Sequence, residues 1–352
     1  MSSKRFSKPR ATSAAGLVAG LLVTAMVAAG PAPAPTVEIL TATGGLPAHI
    51  AGRFQEPIGF GMTPAGEYVV LDRRAHTVYA VDRARRDLRQ VIRIGFEEGK
   101  LLGPAVLALG PDDIVAVADG PHGAERIQYF GLDGTFLGGF HLGRVRTPGM
   151  AVGPFRVNGI DSMAFTGRSF LVSRPALGAL FTEYELSGTI RRHVGTLRAT
   201  GQESDPEVHQ ALNGGLPLVD PTGGFYFVFH SGRPMFRKYT ADGQLAFERH
   251  IEGPELDRFI NALPTEWPSP RARSERRPVV EPLIRAAAVD PAGRLWISLG
   301  EPYTYVYDPA GEKVRTIQFR AAGLVAPTSL FFAADGRLLV TPGCYEFRTS
   351  PE

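Results

Sequence analysis

The feature that most constrains the fold is a strand, tight turn and second strand that recurs six times. It appears in IGFGMTPAGEYVVLD (58–72), VLALGPDDIVAVAD (106–119), IDSMAFTGRSFLVS (160–173), GLPLVDPTGGFYFVF (215–229), RAAAVDPAGRLWISL (285–299) and SLFFAADGRLLVT (329–341). The turns hold Ala65-Gly66, Asp112-Asp113, Gly167, Thr222-Gly223, Ala292-Gly293 and Asp335-Gly336, residues that reach the positive φ a two-residue hairpin demands. A second turn follows each of the first five, at Arg86-Asp87, Asp133-Gly134, Ser187-Gly188, Asp242-Gly243 and Ala310-Gly311. It always comes 18 to 21 residues later, whereas the interval between successive repeats ranges from 43 to 70. A constant inner spacing with a variable outer one describes rigid sheet units joined by loops. Three hairpin-linked strands with an outgoing fourth make one propeller blade. Six first turns therefore predict an all-β, six-bladed β-propeller.

The sixth repeat ends after YEFRT (345–349) with only three strands. VEIL (37–40) has no hairpin partner of its own, and it resembles the outgoing strands QVIRIG (90–95) and VRTIQF (314–319). It is expected as the outermost strand of blade six, closing the ring and leaving no open sheet edge. The longest interval contains PELDRFINALPTEWPSPRARSERRPVVEP (254–282), an inserted arm with six prolines and the basic cluster Arg271, Arg273, Arg276 and Arg277. ELDRFINAL reads as a short helix. The arm reads either as a partner-binding arm or lid, or as a tolerated insertion.

The formal charge of +3 and pI near 9.0 do not point to nucleic acid. Lys4, Arg5, Lys8 and Arg10 precede the uncharged run Ala14 to Gly30, the layout of a signal peptide cleaved after Ala29 or, alternatively, of a membrane anchor over residues 11–30. Without those four residues, 34 basic side chains face 35 acidic ones. The reading is an extracytoplasmic monomer, periplasmic or secreted. It consists of residues 1–29 as leader, 30–35 as a Pro/Ala linker and 36–352 as propeller. A single cysteine, Cys344, excludes an intrachain disulfide and reads as a small packed residue.

VLDRRAHTVYAVD (70–82) and AVADGPHGAERIQYFGLDG (116–134) resemble NHL repeats, through Asp72, His76 and Val78 in the first and Asp119, Arg126, Ile127 and Gln128 in the second. The entry segments EPIG (56–59), GPAV (103–106) and APTS (326–329) fit the same pattern. The resemblance implies a propeller whose default site is one mouth of the central channel. VNGIDSMAF (157–165) further resembles the Asn-Gly-Leu-Asp stretch of regucalcin/gluconolactonase propellers. There Asn158 would match a divalent-cation ligand, with Asp161 beside it and Glu56 as a second match. Where that family has its metal-binding Asp, this chain has Arg285, which would repel a cation. Glu56, Asn158, Asp161 and Arg285 are thus the expected ligand-binding residues of the mouth. No catalytic residue, metal ligand or cofactor is assigned. His209 and His230 are the candidates for a zinc-dependent lyase, but they read as surface or hairpin residues. The expected function is a binding or scaffold module for a protein, peptide or small molecule. The alternative is a metal-dependent lactonase- or lyase-type enzyme carrying calcium or another divalent cation.

Overall fold

The computed structural model describes residues 37–120, 124–143, 151–152, 155–156, 162–264, 280 and 282–349. Residues 1–36, which include the expected leader, Asn158, Asp161 and most of the arm, including its basic cluster, lie outside them.

Each repeat forms an antiparallel sheet, and the six sheets form a ring. Blade one contains Pro57–Met62, Tyr68–Asp72, Thr77–Val81 and Leu88–Ile94, with Lys100–Leu101 added in parallel at its edge. Blade two contains Val106–Leu109, Val115–Asp119, Arg126–Phe130 and Phe136–His141, and blade three Met163–Phe165, Ser169–Val172, Ala179–Glu185 and Ile190–Thr196. Blade four contains Gly215–Val219, Phe225–Phe229, Met235–Tyr239 and Leu245–His250. Blade five contains Ile284–Val289, Leu295–Leu299, Thr304–Tyr307 and Lys313–Arg320, and blade six Ser329–Phe332, Arg337–Thr341 and Tyr345–Arg348. The innermost strands touch in chain order, and that of blade six returns to that of blade one. The ring is closed.

The period-two pattern of each second strand explains how blades pack. Val69 and Leu71 turn towards Val115 and Val117 of blade two, while Tyr68 and Val70 turn towards Leu339 of blade six. Likewise Phe227 and Phe229 meet Leu171 and Phe181 of blade three, and Tyr226 and Val228 meet Leu295 and Ile297 of blade five. Both faces of these strands are buried, so they are largely apolar rather than alternating. The outermost strands, such as Leu245–His250, are largely exposed and mix polar with apolar residues.

The Asp residues that carry the NHL resemblance hold the loops entering the innermost strands. Asp72 accepts from the backbone N–H groups of Gln55, Glu56 and Ala75. Asp119 accepts from Leu102 N–H and pairs with the buried Arg126, whose guanidinium also donates to the carbonyls of Phe96 and Lys100. His76 Nδ1 accepts from Gly103 N–H at 2.7 Å, tying blade one to the entry of blade two. These residues build the scaffold of the mouth.

Closure differs in detail from the expectation. Val37–Thr41 pairs in parallel with Lys313–Arg320 and becomes a fifth strand of blade five. The strand that completes blade six is Gly44–Gly45, opposite Tyr345 and Glu346. Residues flanking it add bonds, Thr43 N–H to Glu346 O and Leu46 N–H to Cys344 O. VEIL therefore goes to blade five. Glu38 reaches Arg315 there through both carboxylate oxygens, and the chain crosses to blade six only after Thr41. At the seam back to blade one, Glu346 accepts from Tyr68 Oη (2.6 Å), Arg85 and Arg337.

Two helices lie in the connections between blades. Pro206–Asn213 precedes the innermost strand of blade four, capped by the Asp205 carboxylate accepting from Val208 N–H. Asp257–Asn261 lies at the start of the arm, inside the segment expected to be helical.

Candidate functional site

The innermost strands surround a central cavity of about 750 Å³. Leu107, Leu109, Phe165, Leu218, Val289 and Phe331 give it an apolar wall. Gly59 and Gly61 of blade one leave room for that wall, because a Cβ at either would lie within about 3 Å of Leu107 or Leu109.

The cavity's polar side chains stand at or next to the entry ends of the innermost strands: Arg73, Ser162, His230, Arg285, Thr328 and Ser329. Most are already engaged. Arg73 forms a two-bond pair with Glu56. The hydroxyls of Thr328 and Ser329 both bond to the buried Thr341 hydroxyl, at 2.9 and 2.6 Å. Arg285 is exposed at the mouth, and among the described residues it makes no side-chain hydrogen bond or ion pair.

His230 is the residue that sequence reasoning misplaced. It is 6 % exposed and lines the cavity, rather than lying on the surface. Its Nδ1 lies 3.1 Å from Ile284 O, and because a carbonyl only accepts, Nδ1 carries the proton and Nε2 is left with a bare lone pair. Burial pushes its pKa below the usual histidine range, with the bond to Ile284 opposing that shift, so the ring is neutral. His209, the other candidate, sits on the helix Pro206–Asn213 and meets Thr200 Oγ1 at 2.7 Å, away from the cavity. The pair does not converge.

Of the expected site residues, Arg285 lines the cavity and Glu56 stands next to it, with its carboxylate turned onto Arg73. Asn158 and Asp161 lie outside the described residues. A second hollow of about 390 Å³ lies beside Arg198, Arg237 and Glu248. Two of its guanidinium groups are committed, Arg198 to the carbonyls of Leu212, Ser231 and Arg233, and Arg237 to Glu248 and Thr196 O, while the exposed Arg233 also lines it without a side-chain bond among the described residues. The central cavity, larger and with an apolar wall leading to a polar mouth, is the better candidate.

No family model and no curated protein matches the chain. Solved structures do resemble it. A catalytically inactive variant of virginiamycin B lyase from Staphylococcus aureus with quinupristin is 12 % identical at a TM-score of 0.50, over 81 % of this chain and 77 % of that one. Hydrazine synthase from Kuenenia stuttgartiensis is also 12 % identical at 0.50, over 85 % and 97 %. A streptogramin B lyase gives 12 % identity at 0.48, over 83 % and 92 %. At this identity the likeness carries the fold alone. The chain is a six-bladed β-propeller.

Proposed function

We propose that the chain is an exported binding module that takes its ligand at the entry mouth of the central channel. The observation that carries this reading is the division of the cavity into an apolar wall and one polar mouth, with Arg285 uncompensated there. Such a shape is what small-molecule sites use: apolar surface for affinity and a few polar groups for orientation. Export rests on the basic start and apolar run of residues 1–30.

A second reading, a lyase-type enzyme, is favoured by His230. A neutral imidazole with a bare Nε2 on a cavity wall is suited to accept a proton from a bound substrate. One structural neighbour, at a TM-score of 0.50, is a lyase by name. The metal-dependent form of this reading fits the described residues poorly. The Glu56 carboxylate is spent on Arg73, and Arg285 brings a positive charge to where a cation would sit. No step is routed through a metal.

A panel of lactones, esters, short peptides and amphipathic small molecules, screened by thermal melting, tests the binding reading. A ligand that binds only the folded state raises the melting temperature in proportion to ln(1 + [L]/Kd). At least one class is expected to give a rise that keeps growing with the logarithm of ligand concentration, and the absence of any rise would count against the proposal. Turnover of a hit that disappears in His230→Gln, with binding retained, would move the assignment to the enzyme.

A further inference from the structure

The charge at the mouth can be resolved group by group. Arg73 is neutralised by Glu56, and His230 carries no charge of its own. The hydroxyls of Thr328 and Ser329 are uncharged and each bonds to the Thr341 hydroxyl. What remains among the described cavity-lining residues is one free guanidinium, that of Arg285, on the rim of an apolar-walled cavity. Low-dielectric walls concentrate the field of a single charge. A guanidinium offers a planar fork of donors that matches a carboxylate, sulfonate or phosphate through two parallel bonds. The bare Nε2 of His230 repels an oxyanion, so the anionic group is directed to Arg285 alone.

We propose that the channel binds a small molecule with an apolar body and a single oxyanion, the oxyanion held by Arg285 at the mouth and the body lying against the wall of the innermost strands. This inference rests on the channel mouth being the binding site. It adds the chemical class of the ligand. A cationic or polyhydroxylated ligand is disfavoured, the first by Arg285 and the second by a wall that offers few hydrogen bonds.

Two fluorescent probes of nearly equal body separate the contributions. Anilinonaphthalene sulfonate carries one oxyanion, whereas phenylnaphthylamine is its uncharged counterpart. Both would be titrated into the wild type, into Arg285→Gln and into Ala287→Cys before and after reaction with a bulky maleimide. Ala287 lines the cavity, so the label would fill it. The native thiol does not compete, because Cys344 is fully buried and burial pushes its pKa up to about 12. Unlabelled Ala287→Cys reports whether the substitution itself preserves the fold.

The sulfonate is expected to bind more tightly than the amine. Arg285→Gln should weaken the sulfonate by roughly tenfold and leave the amine unchanged. Labelling at position 287 should abolish both. Equal affinities, with neither affected by Arg285→Gln but both lost on labelling, would overturn the oxyanion assignment while leaving the channel as the site. Absence of saturable binding, or binding that survives the label, would overturn the channel reading and this inference with it.

Discussion

His230 joins two blades through its backbone as well as its ring. Its N–H donates to Gly214 O, and its carbonyl accepts from both Leu283 and Ile284 N–H, so blade five enters the ring along this residue. The ring bond to Ile284 O completes the staple. The burial that holds the imidazole neutral also links stability to pH. In the unfolded chain the ring titrates near its ordinary value of about 6.5, whereas in the folded protein it resists the proton. The unfolded state therefore binds more protons just below that value, and stability falls as the pH drops through about 6.5 towards the depressed folded pKa. His230→Gln should remove this contribution. The check is the urea midpoint of both proteins near pH 7.5 and pH 5: the wild type should lose more than the variant, and equal losses would assign the acid sensitivity elsewhere.

Hairpin turns set the blades, and their glycines differ in what surrounds them. Gly134 has φ 91°, and a Cβ there would lie 2.5 Å from Val91 O on blade one. Gly336 has φ 81° but open space around it. Gly336→Ala should cost only the left-handed backbone penalty, about 1 to 2 kcal/mol, whereas Gly134→Ala should cost more because the blade-one backbone must also move. Denaturant midpoints of the two variants decide this, and similar losses would mean the seam yields freely. Turns of this kind made the blades legible in the sequence, because their chemistry is local. Arg285 was legible too, since the repeat AAAVDPAGRLWIS places it at a strand entry. His230 was not: its burial depends on blade five returning beside it, 54 residues further along the chain. The helix Pro206–Asn213 carried a usable signal in Asp205-Pro206-Glu207, an N-cap followed by Pro and an acid, which the strand periodicity overshadowed.

At the scale of the whole ring, the N-terminal segment does two jobs that the sequence suggested as one. VEIL is short and mostly apolar, so its pattern alone suits more than one outer strand, and only the pairing in three dimensions assigns it to blade five. Val37–Thr41 contributes a five-residue parallel ladder there, while Gly44–Gly45 and its flanks close blade six and adjoin the Glu346–Tyr68–Arg85 cluster, with Arg85 also donating to Gly45 O. The Glu38–Arg315 pair is partly exposed and is worth at most about 1 kcal/mol, so the backbone ladder and the closure dominate. A truncation series separates them. Removing residues up to 36 should leave the melting temperature unchanged. Removing residues up to 41 strips the edge of blade five and should lower it by a few degrees. Removing residues up to 46 should lower it much further, because it also exposes the edge of Tyr345–Arg348 and takes Leu46 from the core beside Leu339 and Cys344. If the second and third truncations melted together, the ring would be held by the blade-five ladder and not by Gly44–Gly45.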